Sequence, residues 1–418
     1  MLKRTLSEEY LDHYQRSRCR ERIDLLATSL ANLRYAREVI DQHVHEWLRF
    51  SRYCDYTDID VPSSIYAKEV EDYVRWRLPR GSKSRRRFIR ASLRILIEAD
   101  ERGSFARRIH APSRPTTALF KTWVPSYVGF LKEHRGVSEI TLNKNVFILR
   151  EFTEFVEGLG IRELRSLKAL HLHDFCMNPH RRQPVTWVSY LGIVRRFLQY
   201  VFIRQGMEQD LSFAVGGVKC YRYAGLYDVF TEAELDKLLI SVDRSEAIGK
   251  RDYAVLLLAA RYGMRPSDIR KIRLEDIHWR DGHLVFCQSK TGRPLTLPLL
   301  PDVAEAIIEY LRDGRPATEV RNIFVRHKAP FESFVPGNNL FRVMSKALRQ
   351  AGLERRPGAR GLYLFRYTLA TKMLSAKVSI KMIGDILGHA STNSTLGYTK
   401  IDLPALRSVS LSIAEVLR

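Results

Sequence analysis

The chain has 418 residues, too many for one compact core, so two or three domains are expected. Its 69 Lys and Arg against 47 Asp and Glu leave a formal net charge of +22, an excess that attracts polyanions, nucleic acid foremost. No apolar run approaches the roughly 20 residues a bilayer crossing needs, and the cations are spread along the whole chain, which argues against a membrane partner.

The opening residues, M-L-K-R-T-L-S-E-E-Y, contain no apolar signal-peptide core, so a cytoplasmic location is expected. Five cysteines (Cys19, Cys54, Cys176, Cys220, Cys287) lie far apart with no C-x-x-C pair. That is the pattern of reduced structural thiols and offers no zinc site. His171 and His173 alternate with leucine and lack a second ligand pair, so no metal is expected there either.

Residues 1 to about 110 read as helices. Ile40, Val44, Trp47 and Leu48 share one face, a short helix surrounds Val70 and Tyr73, and a third carries Leu93, Leu96 and Ala99. A basic run from Arg80 to Arg90, including Arg85, Arg86 and Arg87, leads into that third helix. Ala111 to Thr117, with two prolines, reads as a linker. The plan then repeats. Leu149, Phe152, Phe155 and Val156 form a stripe ended by G-L-G, a short helix surrounds Leu172 and Phe175, and P-H-R-R-Q-P carries Arg181 and Arg182. A last helix has Tyr190, Val194, Phe197, Leu198 and Val201 on one face. The pairs Trp47/Phe152 and Phe50/Phe155 share one offset, which suggests a degenerate tandem duplication of a helical module, although any two helical bundles look alike at this level.

From about Tyr221 the character changes. Thr231 and Glu234 form a capping box that opens a helix to about Val242. Arg251 to Tyr262 is apolar enough for a core helix; Gly263 ends it and Pro266 stands at a first helical position. Arg265 is thereby held at a helix N-terminus, where free amides favour an anion; an ordinary salt bridge to Asp268 is the alternative. His283 to Pro298 alternates like a hairpin or small three-stranded sheet with Thr291-Gly292 in its turn and Lys290 at the turn's base. Helices resume at Val303 to Leu311 and Asn339 to Ala351. The stretch from Tyr363 to Tyr398 follows, with Arg366, an L-G-H turn carrying His389, and Tyr398 nine residues beyond. An arginine and a histidine can hold a phosphate, and a tyrosine within reach can attack it.

Residues 221 to 401 resemble the catalytic domain of the tyrosine recombinase (phage integrase) family. The matching pieces come in the family's order: R-D and G-M-R-P-S-D up to Asp268, I-R-L-E-D-I, S-K-T-G-R, the arginine at 366, L-G-H-A-S and S-T-x-x-Y-T. Residues 117 to 206 resemble, more loosely, that family's helical core-binding domain. The implied fold is mainly α and multi-domain, with a mixed α/β catalytic domain and a small antiparallel sheet. The domains would be residues 1–112 (an N-terminal DNA-binding module), 113–215 (core-binding) and 216–418 (catalytic).

The resemblance implies that Tyr398 attacks the scissile phosphate and forms a 3′-phosphotyrosine, with no ATP or metal cofactor. Arg265 and Arg366 would clamp the non-bridging oxygens, His389 would donate to one of them or help deprotonate the tyrosine, and Lys290 would protonate the leaving 5′-oxygen. One position departs from the family pattern. Tyr363, three residues before Arg366, replaces the usual histidine or lysine, and Tyr367, directly after Arg366, stands where histidine is also often found; a phenol can orient a phosphate but is a poor proton shuttle near neutrality.

Partners implied are duplex DNA, gripped in a C-shaped clamp, and further copies of the chain in a tetramer coupled through an amphipathic helix after Asp402; other recombinases are a further option. Arg85, Arg86, Arg87, Arg90, Arg181 and Arg182 would contact the DNA backbone, with a merely solvated face as the alternative. The expected role is an integrase or transposase of a mobile element, acting in the cytoplasm on the bacterial nucleoid. Chromosome-dimer resolution and a catalytically idle DNA-binding partner are the alternatives.

Overall fold

In the computed structural model the described residues are 8–17, 19–57, 59, 67–79, 82–102, 116–177, 184–219, 229–353, 361–389 and 395. Among them the sequence periodicities become sixteen α-helices and one small antiparallel sheet. Residues 112–226 form one compact unit, and residues 1–111 with 227–418 form the other. The N-terminal module, expected as a separate domain, thus groups with the C-terminal segment; Arg34 Nη1 donates to the Ala317 carbonyl at 3.0 Å.

The N-terminal module comprises α1 (Glu8–Arg16), α2 (Arg20–Asn32), α3 (Arg37–Tyr56), α4 (Ala67–Arg77) and α5 (Lys83–Arg102). Trp47, Leu48, Phe50, Tyr73, Ile89, Leu93 and Leu96 are all buried in its core. Two polar groups taken inside find partners on one residue: Trp47 Nε1 donates to Ser92 O at 2.8 Å, and His43 Nδ1 lies 2.9 Å from Ser92 Oγ. Burial pushes the His43 pKa down to about 4.

The second unit holds α6 (Ala118–Arg135), α7 (Glu139–Gly158), α8 (Ala169–Met177) and α9 (Pro184–Ile203). Thr117 caps α6 by accepting from Phe120 N, and Gly136, at φ 55°, ends it. The buried positions of α7 match those of α3 under a shift of 102 residues: Leu142 with Ile40, Asn145 with His43, Leu149 with Trp47, Phe152 with Phe50, Thr153 with Ser51 and Val156 with Cys54. Ring contacts match too. Phe50–Tyr73 meet edge to face at 5.0 Å and 79°, and Phe152–Phe175 at 5.2 Å and 77°. The register expected from Trp47/Phe152 is therefore displaced by three residues, close to one turn. Such a slip leaves an apolar stripe on the same face; the buried polar pairs, His43/Asn145 and Ser51/Thr153, and the matched ring pairs distinguish the two registers.

The C-terminal segment begins with α10 (Glu232–Ile240), whose capping box pairs Thr231 with Glu234 in both directions. Then come α11 (Ala247–Tyr262), which starts four residues before Arg251, and the short α12 (Pro266–Lys271). In α11, Ala254 to Ala259 are all buried, with the side chains packed among α10, α13 (Pro301–Asp313), α14 (Phe341–Gln350) and α15 (Tyr363–Ser375). Strands β1 (Ile277–His278), β2 (His283–Cys287) and β3 (Pro294–Pro298) form an antiparallel sheet in the order β1-β2-β3, with His283 opposite Pro298 and Cys287 opposite Pro294. Helix α16 (Ile380–Leu387) follows α15. The expected amphipathic helix after Asp402 lies outside the described residues.

Candidate active site

Three chain segments meet at the C-terminal end of α16. The first is the sharp link from α11 to α12. Gly263, at φ 58°, ends α11, and a Cβ there would sit 2.9 Å from Leu387 Cδ2 and 3.4 Å from Arg366 Cα. Only glycine lets α11 come this close to α15 and α16. Two residues on, Arg265 occupies the N-cap of α12 with Pro266 at its first position.

The second segment is α15. Its Arg366, 5% exposed, donates from Nη1 to Gly263 O at 2.9 Å and from Nη2 to Leu387 O at 2.6 Å. Arg265, 7% exposed, donates from Nη2 to Gly388 O at 3.1 Å. The last carbonyls of a helix have no intrahelical donor. Here two guanidiniums take over that role for α16, and the helix end holds both of them in place. Arg265 Nη1 is buried without a hydrogen-bond partner and has only the Asp268 carboxylate at 3.7 Å. The salt bridge weighed as the alternative reading of Arg265 is thus present, and it leaves a buried donor unspent.

The third segment is the β2–β3 hairpin. Ser289 N donates to Asp268 Oδ1 at 2.8 Å, so the carboxylate that faces Arg265 also anchors the turn carrying Lys290. The turn closes on itself through Gln288 N to Arg293 O and Gly292 N to Gln288 O, both 2.9 Å, with Gly292 at φ 68°. Lys290 is exposed on it. Gln288 is 3% exposed; its Oε1 accepts from Thr291 Oγ1 at 2.7 Å, and its Nε2 would overlap any Cβ built on Gly388, at 1.5 Å.

His389 follows directly, its amide bonded to Gly384 O and its Nδ1 2.8 Å from Thr395 Oγ1. Its pKa is lowered to about 4 by burial and by the charges of Arg366, Arg265 and Lys290. The imidazole is therefore neutral at pH 7. Arg265, Arg366 and His389 share the end of α16, and the Ser289–Asp268 bond brings the turn of Lys290 to the same place. Tyr363, at the first position of α15, is 43% exposed one turn before Arg366. Tyr367 is half-buried against Ala370, Ile383 and Leu387. Tyr398 lies outside the described residues; Thr395, three positions earlier, is fully buried.

Asp268, Gln288, Gly388 and Thr395 support this site, and sequence reasoning gave them no positive role there. Asp268 was visible as an acid three residues after Arg265; nothing in the sequence tied it to the hairpin. Among the described residues no group of three or more His, Cys, Asp or Glu could hold a metal ion.

The predicted DNA contacts are differently placed. Arg85, Arg86, Arg87 and Arg90 stand in the first two turns of α5. Arg90 is bidentate on Glu71 at 2.7 and 2.8 Å, Arg86 Nη2 donates to Leu78 O and Pro79 O at 2.9 Å, and Arg85 lies 3.6 Å from buried Glu46. Arg87 is exposed. Lys83, Arg86, Arg87, Arg90 and Arg94 line a hollow of about 420 Å³. Arg181 and Arg182 lie outside the described residues.

The phage integrase family model matches residues 228–403. The y4rA protein of Sinorhizobium fredii, by name an integrase/recombinase, is 33% identical over 328 residues, covering 77% of this chain and 78% of its own. Tyrosine recombinase XerA of Pyrococcus furiosus is 28% identical over 277 residues, covering 62% of this chain and 91% of its own. Among solved structures, a lambda integrase tetramer bound to a Holliday junction shares the fold at a TM-score of 0.54 and 17% identity, over 76% of this chain and 88% of that one.

Proposed function

The chain belongs to the tyrosine recombinase (phage integrase) family, and from that premise we propose that it is the integrase or transposase of a mobile element, cutting and rejoining DNA through a covalent 3′-phosphotyrosine. The carrying observation is the convergence of Arg265, Arg366 and Lys290 on a neutral His389, at a point where a buried guanidinium nitrogen lacks an acceptor.

Each residue's type suits one step of this chemistry. The Arg265 and Arg366 forks suit the non-bridging oxygens of a phosphodiester and offset the extra charge of the pentacoordinate transition state. The Tyr398 oxygen attacks phosphorus; a P–O bond to tyrosine forms as the P–O5′ bond breaks. Neutral His389 can take the phenolic proton or donate to a non-bridging oxygen, and Lys290, exposed on its hairpin, protonates the 5′-oxygen. The bond energy stays in the phosphotyrosine, so ligation is the reverse of cleavage and needs no ATP. With two guanidiniums and an ammonium facing the phosphate, the scheme needs no metal. Tyr363 is exposed enough to donate a hydrogen bond to the phosphate and serves as an orienting group.

The module of residues 1–112 acts as a second copy of the core-binding module (113–215), a tandem duplication supported by the shared 102-residue register and the matched ring pairs. Residues 216–418 are the catalytic domain. The basic first turns of α5 grip duplex DNA through its phosphates. Assembly as a tetramer on paired sites is supported by the likeness to the lambda integrase tetramer. No described helix is long and apolar enough to cross a membrane; the proposed place of action is the bacterial chromosome in the cytoplasm.

Incubation with a nicked suicide substrate tests the scheme. Wild type is expected to form a protein–DNA adduct that resists denaturation, and Tyr398→Phe none. The Tyr363 departure favours one other reading, a DNA-binding partner without cleavage activity. Intact DNA binding with no adduct on any native target would establish that reading instead.

A further inference from the structure

The N-terminal module carries a hollow of about 570 Å³ that strand cleavage does not use. Tyr53, Tyr56 and Trp76 line it together with Arg49, Arg52 and Arg77; Tyr10 contributes a further ring, and among the described residues no carboxylate lines it, the buried Glu46 lying 3.7 Å from Arg49 Nη1 outside the lining. Trp76 is 58% exposed and Tyr56 83% exposed, a costly display for rings whose burial stabilises a fold. The indole is braced, with Tyr53 at 5.0 Å and Tyr73 at 6.0 Å between ring centroids, while more than half of its surface stays open. Arg49 Nε is oriented by the Tyr10 hydroxyl at 3.0 Å, and Arg77 Nε is buried without a hydrogen-bond partner.

The related module shows that the helical frame does not require this chemistry. Under the 102-residue shift Arg49 and Arg52 correspond to Glu151 and Glu154, Tyr53 to Phe155 and Tyr56 to Gly158. The core ring pairs keep their geometry between the two modules while the charge of this face is inverted. Packing of the helical frame alone therefore does not call for rings beside guanidiniums here.

We propose that this hollow binds an unpaired nucleotide of single-stranded DNA, with the base stacked on Trp76 and Tyr56 and the phosphate held by Arg49, Arg52 and Arg77. The rings decide between strand forms. A duplex offers its phosphates to the guanidiniums but keeps its base faces covered, whereas an unstacked base of any identity presents a π-face to an aromatic platform. The guanidiniums add cation–π and phosphate contacts on the same nucleotide. The proposal rests on the recombination reading only for the source of the strand, since strand exchange opens a duplex; the binding itself is independent of it.

The test uses the full chain and three labelled probes of equal length in fluorescence anisotropy: oligo-dT, the same backbone with abasic residues, and a duplex. Wild type is expected to prefer oligo-dT to the abasic strand. Trp76→Ala and Tyr56→Ala should each weaken oligo-dT binding by roughly 5- to 150-fold, the range of one lost base–aromatic stack, with duplex affinity and suicide-substrate adduct yield unchanged and Trp76→Phe largely restoring binding. Tyr56, at 83% exposure, can be removed without disturbing the core. Equal binding of abasic and base-bearing strands, or equal losses on duplex and single strand, would overturn the proposal and leave a plain phosphate patch. Absence of an adduct alongside a retained single-strand preference would count against the recombinase scheme and for the hollow, so the two failures are separable.

Discussion

His389 sits beside three cations, and their repulsion together with burial keeps its imidazole neutral down to about pH 4. A bound phosphodiester reverses much of that field, because its negative charge lies among the same cations and favours the protonated ring. Binding should therefore raise the His389 pKa. The sign follows from linkage: a complex that holds a proton more tightly than its free parts takes one up on forming, so DNA affinity gains from His389 as pH falls below the bound-state pKa. The gain levels off below the free value of about 4. NMR titration of labelled histidine should place the DNA-free midpoint near 4 and move it upward with a target duplex; identical midpoints would mean that the phosphate does not sit beside this ring. The same local accounting shows why Arg366 was legible in the sequence and its anchors were not. Its motif announces a buried arginine, but the carbonyls it grips, Gly263 and Leu387, come from two other segments.

At the scale of elements, the site depends on how α16 ends. Gly388 takes φ 62°, and the space where its side chain would be is filled by the Gln288 amide from the hairpin. Gly388→Ala meets two obstacles. A left-handed backbone costs a non-glycine residue about 1 kcal/mol, and the Gln288 side chain must leave its bond to Thr291. Displacing that amide also shifts the turn bearing Lys290. Gly388→Ala is expected to slow cleavage and lower the melting temperature. Adding Gln288→Ala should recover part of the lost stability, leaving the backbone strain behind. If the double variant melts no higher than Gly388→Ala alone, the close approach is not the cause. Gly388 was visible as part of the L-G-H turn, whereas its contact with a residue 100 positions earlier was not. The small helical modules teach the complementary lesson: helix periodicity exposed each apolar stripe but could not choose between registers three residues apart.

For the whole molecule, the net charge of +22 is spread over surfaces with different duties. Several guanidiniums in the basic run of α5 already hold internal acceptors: Arg90 braces α4 through Glu71, and Arg86 closes the α4–α5 corner. Exposed Lys83 and Arg87 are the members whose removal should report on DNA alone. Each of Lys83→Ala and Arg87→Ala is expected to weaken duplex binding on every sequence and to reduce the slope of log affinity against log salt by about 1. An unchanged slope with both residues removed would place the duplex elsewhere. Arg90→Ala, by contrast, should also cost stability, because it leaves Glu71 without its bidentate partner.

The sequence by itself determined the family, the helical class and the small sheet, because each is written locally as a periodicity, a capping box or a short motif, and it named the candidates for the reacting centre. It also implied the polyanionic partner, since charge adds up without regard to fold. Only the tertiary structure decided which segments share a site. Asp268 joining Arg265 to the Ser289 amide, Gln288 filling the space beside Gly388, and the rings gathered around Trp76 all depend on contacts between distant positions. Such contacts are set by packing whole helices against one another, and no window of neighbouring residues contains that information.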